Sequence, residues 1–86
     1  MKATWEKILE YASSPVHGTM SRKLRKGVQL QVNGEQIFDK AQIFIGDAFV
    51  RFTQTDAKQT INVYYDLEKI ASIKTVSKPD AEPAEK

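Results

Sequence analysis

Val28-Gln29-Leu30-Gln31-Val32-Asn33-Gly34 decides how this chain is to be read. Apolar and polar residues alternate over five positions, the period of a strand with one buried face. Asn-Gly follows at once. Both residues tolerate positive φ, and the pair between alternating runs is the strongest short-range signal for a β-hairpin. A strand and its turn are therefore expected here.

Working outward, Ile37, Ala41, Ile43 and Ile45 share one parity while Phe38 and Phe44 share the other, with Asp39 between them. An apolar face that switches midway predicts a second strand bulged or sharply bent near Asp39-Lys40. Gly46-Asp47 turns the chain into a third strand ending at Gln54. The polar turn Thr55-Asp56-Ala57-Lys58 leads to a fourth strand, Gln59 to Tyr65, with Ile61, Val63 and Tyr65 on one face. Asp66 to Lys69 reads as one helical turn, and Ile70 to Val76 as a last short strand. At the other end, Trp5, Ile8, Leu9 and Ala12 recur as the apolar stripe of an amphipathic helix. Thr4 is its expected N-cap, and Ser13-Ser14-Pro15 its end, because proline disfavours α backbone at the residue before it. A helix of about two turns is marginal alone in water, so it must dock its Trp5 face. Residues 15–27 leave two readings open: a short helix closed by Gly27, or the start of a long first strand.

The expected architecture is mainly β. One N-terminal helix precedes five antiparallel strands, the second strongly bent, and such a sheet favours curling into a small, partly open barrel. Residues 1–77 form the domain. Residues 78–86, KPDAEPAEK, are small and polar and are expected to be a disordered tail.

Composition narrows the function. With 41% hydrophobic and 28% charged residues, the chain is neither collagen-like nor wholly disordered. No apolar run approaches the ~18 residues of a membrane span. Lys2, Glu6, Lys7 and Glu10 interrupt any signal-peptide core. There is no cysteine, which excludes disulfides and thiolate metal sites and fits a cytoplasmic protein. A domain of 86 residues without such staples often gains stability by oligomerising.

Catalysis finds little footing. His17 is the only histidine and sits beside Gly18, as a loop residue would. Asp39, Asp47, Asp56 and Asp66 fall at expected bends or turns, where aspartate bonds local backbone. No glycine-rich phosphate loop follows a strand and opens a helix. No catalytic residue, metal ligand set or cofactor is expected. Two features point instead to binding. Arg22, Lys23, Arg25 and Lys26 place four positive charges in five residues, in a chain of net charge +2. They are either a solvated segment or a phosphate-contacting patch. Phe49 and Arg51 alternate with Val50 and Phe52, and Tyr64 with Val63 and Tyr65, on the face away from the strand's apolar one. Either Phe49 packs under the helix beside a solvated arginine, or an aromatic ring and a guanidinium are presented to a ligand.

This order of elements resembles the Sm-like fold, the superfamily of eukaryotic Sm and LSm proteins and bacterial Hfq. Val28-Gln-Leu-Gln-Val-Asn33-Gly34 is similar to the opening of the family's first motif, and Asp47-Ala-Phe49-Val-Arg51-Phe52 to its close. Val63-Tyr-Tyr65-Asp66 and Ile70-Ala-Ser-Ile73 are similar to the second motif. The likeness points to divergent members, phage-encoded ones included. It implies a homo-oligomeric ring that binds single-stranded RNA in RNA metabolism or regulation. A base would stack on Phe49 at a central pore, with Arg51 and the motif's Asp47 beside it. Tyr64 is left either exposed, at an interface or beside a bound base, and the patch of Arg22, Lys23, Arg25 and Lys26 is a competing phosphate-contacting site read from its charge alone. Departures are plain. Arg51 stands where the family usually has asparagine, Asp39 where it often has glycine, and Tyr65-Asp66 where a basic loop residue is usual. The first and the last of these favour the alternative, a structural or protein-interaction module on the same scaffold whose basic segment faces an acidic partner.

Overall fold

A computed structural model describes residues 2–78 of the chain. The expected tail from residue 79 onward lies outside the described residues. Lys78, its first residue, belongs with the domain: its backbone N–H donates to Gly27 O at 3.0 Å.

Helix α1 (Lys2–Ala12) buries Trp5, Leu9 and Ala12. It begins before Thr4, which therefore lies within the first turn rather than capping it; Lys2-Ala3 contains nothing that breaks a helix. The chain then forms neither of the structures expected over residues 15–27. Ser13–Pro15 (β1) and Arg22–Leu24 (β2) pair as a short antiparallel hairpin, Ser13 opposite Leu24 and Pro15 opposite Arg22. Proline lacks an amide, and β1 accommodates it as an outermost strand.

Val28–Val32 (β3) alternates as expected, with Val28, Leu30 and Val32 buried. Asn33 and Gly34 both take positive φ, 55° and 68°, and Glu35 N–H closes the turn on Val32 O at 3.0 Å. The bent second strand is split in two. Ile37–Phe38 (β4) pairs with β3, while Gln42–Ile45 (β5) pairs with β2 and with Phe49–Thr55 (β6). Lys40 at φ 55° breaks the pleat between them. The inward parity changes there, from Phe38 to Ala41 and Ile43, and Ile37 is left exposed. Thr60–Asp66 (β7) pairs with β6, a 3-10 turn spans Leu67–Lys69, and Ile73–Ser77 (β8) returns to pair with β3.

The result is mainly β, with one helix and eight antiparallel strands among the described residues. They form a five-stranded sheet, β1-β2-β5-β6-β7, and a three-stranded sheet, β4-β3-β8. The two do not close into a barrel, because the break at Asp39-Lys40 puts β4 in one sheet and β5 in the other. Between them lies the core. Phe38 stacks on Phe52 with centroids 4.1 Å apart, and Trp5 meets Phe52 at 5.8 Å. Tyr65 meets both phenylalanines edge-on. Burial first, then the charge and hydrogen bond of Glu35, push the Tyr65 pKa above its ordinary value.

Asn33 ties the end of β3 to the segment that leads into its neighbour β8. Its Oδ1 accepts from Ala71 N–H (2.7 Å) and Ser72 N–H (3.2 Å), and its Nδ2 donates to Lys69 O (3.1 Å). Asn33→Ala is expected to cost about 2 kcal/mol, from lost hydrogen bonds and from a Cβ residue without an amide held at positive φ. Asn33→Gly keeps the backbone freedom and loses only the bonds. Urea melts of the pair separate these contributions, and an Asn33→Ala variant as stable as the parent would show that the clamp is idle.

Candidate nucleic-acid interface

Strand alternation fixes two faces on β6. Val50 and Phe52 are fully buried towards the helix, so Phe49, Arg51 and Thr53 face outward. Cross-strand pairing continues this outer face: Phe44 on β5 is opposite Arg51, and Arg51 is opposite Tyr64 on β7. Phe49 lies diagonally between them. Its ring is 5.9 Å from Phe44 and 6.0 Å from Tyr64, both tilted, and the Arg51 guanidinium carbon sits 5.2 Å from the centre of Phe44.

Phe49 is therefore not a helix-packing residue. It is half-buried in a small aromatic cluster on the face opposite Trp5. Gly46 makes room for it: a Cβ there would lie 2.6 Å from Phe49 Cε1, so any side chain would displace the ring. Tyr64, 60% exposed, gives the cluster a ring open to a partner. Phe44 was visible in the sequence only as an aromatic sharing the parity of Phe38, which is buried; its meeting with Arg51 depends on the register of two strands. Arg51 Nε is buried with no hydrogen-bond partner among the described residues. The face of Phe44 supplies part of what water would otherwise give the cation. Asp47 is exposed in the neighbouring turn and pairs with Lys2 Nζ at 3.3 Å.

The basic cluster divides. Arg22 Nε donates to Ser13 Oγ at 2.8 Å, and its Nη2 to Ser13 O at 3.2 Å and Leu9 O at 3.4 Å. Arg25 is buried, and its Nε donates to Tyr11 O at 2.8 Å. Both guanidinium groups thus satisfy carbonyls at the C-terminal end of α1, where a cation also suits the helix dipole. Lys23 and Lys26 are exposed. None of the four joins the aromatic cluster directly, although Lys23 reaches the same face: it is opposite Gln42, which is opposite Thr53, which is opposite Asn62.

The remaining polar residues behave locally. His17 is exposed in the β1–β2 loop. Asp56 Oδ1 accepts from Lys58 and Gln59 N–H, and Asp66 Oδ1 from Glu68 N–H. Among the described residues, no group of three or more His, Cys, Asp or Glu is placed to hold a metal ion, and no helix is long and apolar enough to cross a membrane.

Two strand edges complete the surface. β7 and β8 are each outermost in their sheets. Hydrogen bonds Asp56 N to Gln59 O and Leu67 N to Ala48 O mark the ends of the β6–β7 ladder. Antiparallel alternation then aims the amides of Asn62 and Tyr64 outward and that of Val63 at Phe52. The same counting from Asn33–Ser72 and Gly27–Lys78 aims the amides of Ile73, Thr75 and Ser77 outward from β8.

No protein-family model, curated protein or solved structure matches this chain.

Proposed function

We propose that this protein is a divergent Sm-like module that assembles into a closed homo-oligomeric ring and binds single-stranded RNA, without catalysis of its own. The observation that carries the reading is the outward cluster of Phe44, Phe49 and Tyr64 with Arg51 among them. Aromatic faces stack on any base, and a neighbouring guanidinium adds cation–π or phosphate contact, so such a surface takes single strands with little regard to sequence. The path of the chain supports the Sm-like part. After the added β1–β2 hairpin, β3, the split β4–β5, β6, β7 and β8 follow one another in the order expected of the five strands of that fold, and β7 and β8, the counterparts of its fourth and fifth, are two of the four outermost strands. Those are the two strands that pair between neighbouring subunits in the resembled family.

Phe49→Ala is expected to weaken binding of a labelled oligouridylate by about 1–3 kcal/mol while leaving assembly intact. Fluorescence anisotropy measures the first and light scattering the second. A folded Phe49→Ala variant that binds RNA like the parent rules out the aromatic face as the site. One observation favours a protein ligand instead: beside the cluster lie neutral Gln42, Thr53 and Asn62, and Asp66 is opposite Phe49. Under that reading the oligouridylate fails to bind at any salt concentration.

A further inference from the structure

A second basic surface forms where the two sheets meet, from parts of the chain far apart in sequence. A groove of ≈ 630 Å³ is lined by the β2–β3 connection, by Asp39 and Lys40 at the break between β4 and β5, and by Lys78 after β8. Backbone bonds hold these three pieces together: Leu24 N–H donates to Ala41 O and Lys78 N–H to Gly27 O, each at 3.0 Å. Lys23, Lys26, Lys40 and Lys78 thus line one groove with Arg25, and among the described residues a single carboxylate, that of Asp39, lines it with them. Asp39 Oδ2 accepts from Gln29 Nε2 at 3.4 Å. Among the described residues, no ion pair engages Lys23, Lys40 or Lys78. Like charges gathered this way repel one another, and a polyanion relieves the repulsion.

We infer that this groove holds the phosphodiester backbone of the same RNA whose bases meet the aromatic cluster, and so extends the proposed RNA-binding role, on which the inference rests. Continuity of the sheet favours a nucleic acid over an acidic protein. Lys23, Gln42, Thr53 and Asn62 make one cross-strand row, adjacent to the row of Phe44, Arg51 and Tyr64. From β7 to β2 is three strand spacings, about 14 Å, a distance that a few nucleotides span. The groove supplies charge and the cluster supplies stacking, with Lys23 between them.

The test uses the full chain with Lys23→Gln, Lys40→Asn and Lys78→Gln combined; asparagine tolerates the positive φ of position 40. Two probes are titrated over a range of salt: a labelled oligouridylate, and an abasic phosphodiester oligomer of equal length. Each phosphate contact contributes about 0.7 to the log–log salt slope for a single strand, so the triple variant should flatten the slope by about 2 and lose the abasic oligomer. Phe49→Ala should weaken the oligouridylate but leave the abasic oligomer bound as before. A folded triple variant with an unchanged slope overturns the groove assignment. If the triple variant does not fold, Lys78→Gln alone must flatten the slope by about 0.7. A groove that binds polyglutamate and ignores the abasic oligomer belongs to an acidic protein, which also overturns the inference. Should Phe49→Ala have no effect while the triple variant flattens the slope, the aromatic reading fails and the groove stands.

Discussion

Trp5→Ala is expected to lower the unfolding free energy by about 3–5 kcal/mol, the range for truncating a large buried aromatic. Trp5 is fully buried, meets Phe52, and through it reaches the Phe38–Phe52 stack that joins the two sheets. Most of the rest of α1 faces water, so the indole is the main hold of the helix on the domain. An isolated helix of 11 residues is marginal, and its loss would also take Leu9 O from Arg22 and Tyr11 O from Arg25. For a domain of this size the change corresponds to a fall in Tm of more than about 12 °C. Trp5→Phe gives the comparison. The indole Nε1 is buried without a hydrogen-bond partner among the described residues, so phenylalanine removes volume but no bond, and removes an unsatisfied donor as well. Its cost should be well below that of alanine. Urea melts of the two variants decide the matter, and a Trp5→Ala loss under about 1 kcal/mol would show that the helix is not anchored through this residue.

The features legible in the sequence are those written in local chemistry. Asn33-Gly34 takes two positive φ angles in succession, as its residue types require, and the parity change around Asp39 becomes a break that sends one strand into two sheets. The Trp5 stripe is buried for the same local reason. The β1–β2 hairpin was not legible, because Ser-Ser-Pro and Arg-Lys-Leu carry no apolar alternation. Its position comes from bonds to distant carbonyls: Arg25 N–H to Ala12 O and Leu24 N–H to Ala41 O. The basic cluster shows the same limit. Four charges side by side look alike in sequence, yet two of them turn inward because the end of a helix happens to lie beside them. Lys40 and Lys78 join Lys23 only once the sheets have formed. Phe49 and Arg51 were readable as an outward pair, but their companions Phe44 and Tyr64 come from the two flanking strands, in a register that no local motif specifies.

Proline at two adjacent positions of β7 should give two different failures. Val63 N–H points to Phe52 within the sheet, so Val63→Pro removes a ladder bond and is expected to cost about 3 kcal/mol or more, or prevent folding. Asn62 N–H points away from β6, so Asn62→Pro should leave the monomer folded; it removes a donor for an incoming strand and the exposed acceptor of Thr53 Oγ1 (2.6 Å), but no ladder bond. If β7 of one subunit pairs with β8 of the next, Asn62→Pro is monomeric by light scattering, and Thr75→Pro on the other edge is monomeric too. Mixing these two variants tests the direction of assembly. The Thr75→Pro chain keeps an intact β7 and the Asn62→Pro chain an intact β8, so the pair can make one head-to-tail contact and no second one. The mixture should stop at heterodimers, because a heterologous interface propagates only when every chain carries both halves. An assembly built instead by β7 pairing with a second β7 is isologous. In that case Thr75→Pro remains assembled alone, and the mixture gains nothing. A parent protein that is monomeric at micromolar concentration would remove the ring altogether, and with it the expectation that repeated copies of Phe49 and Arg51 meet one RNA strand.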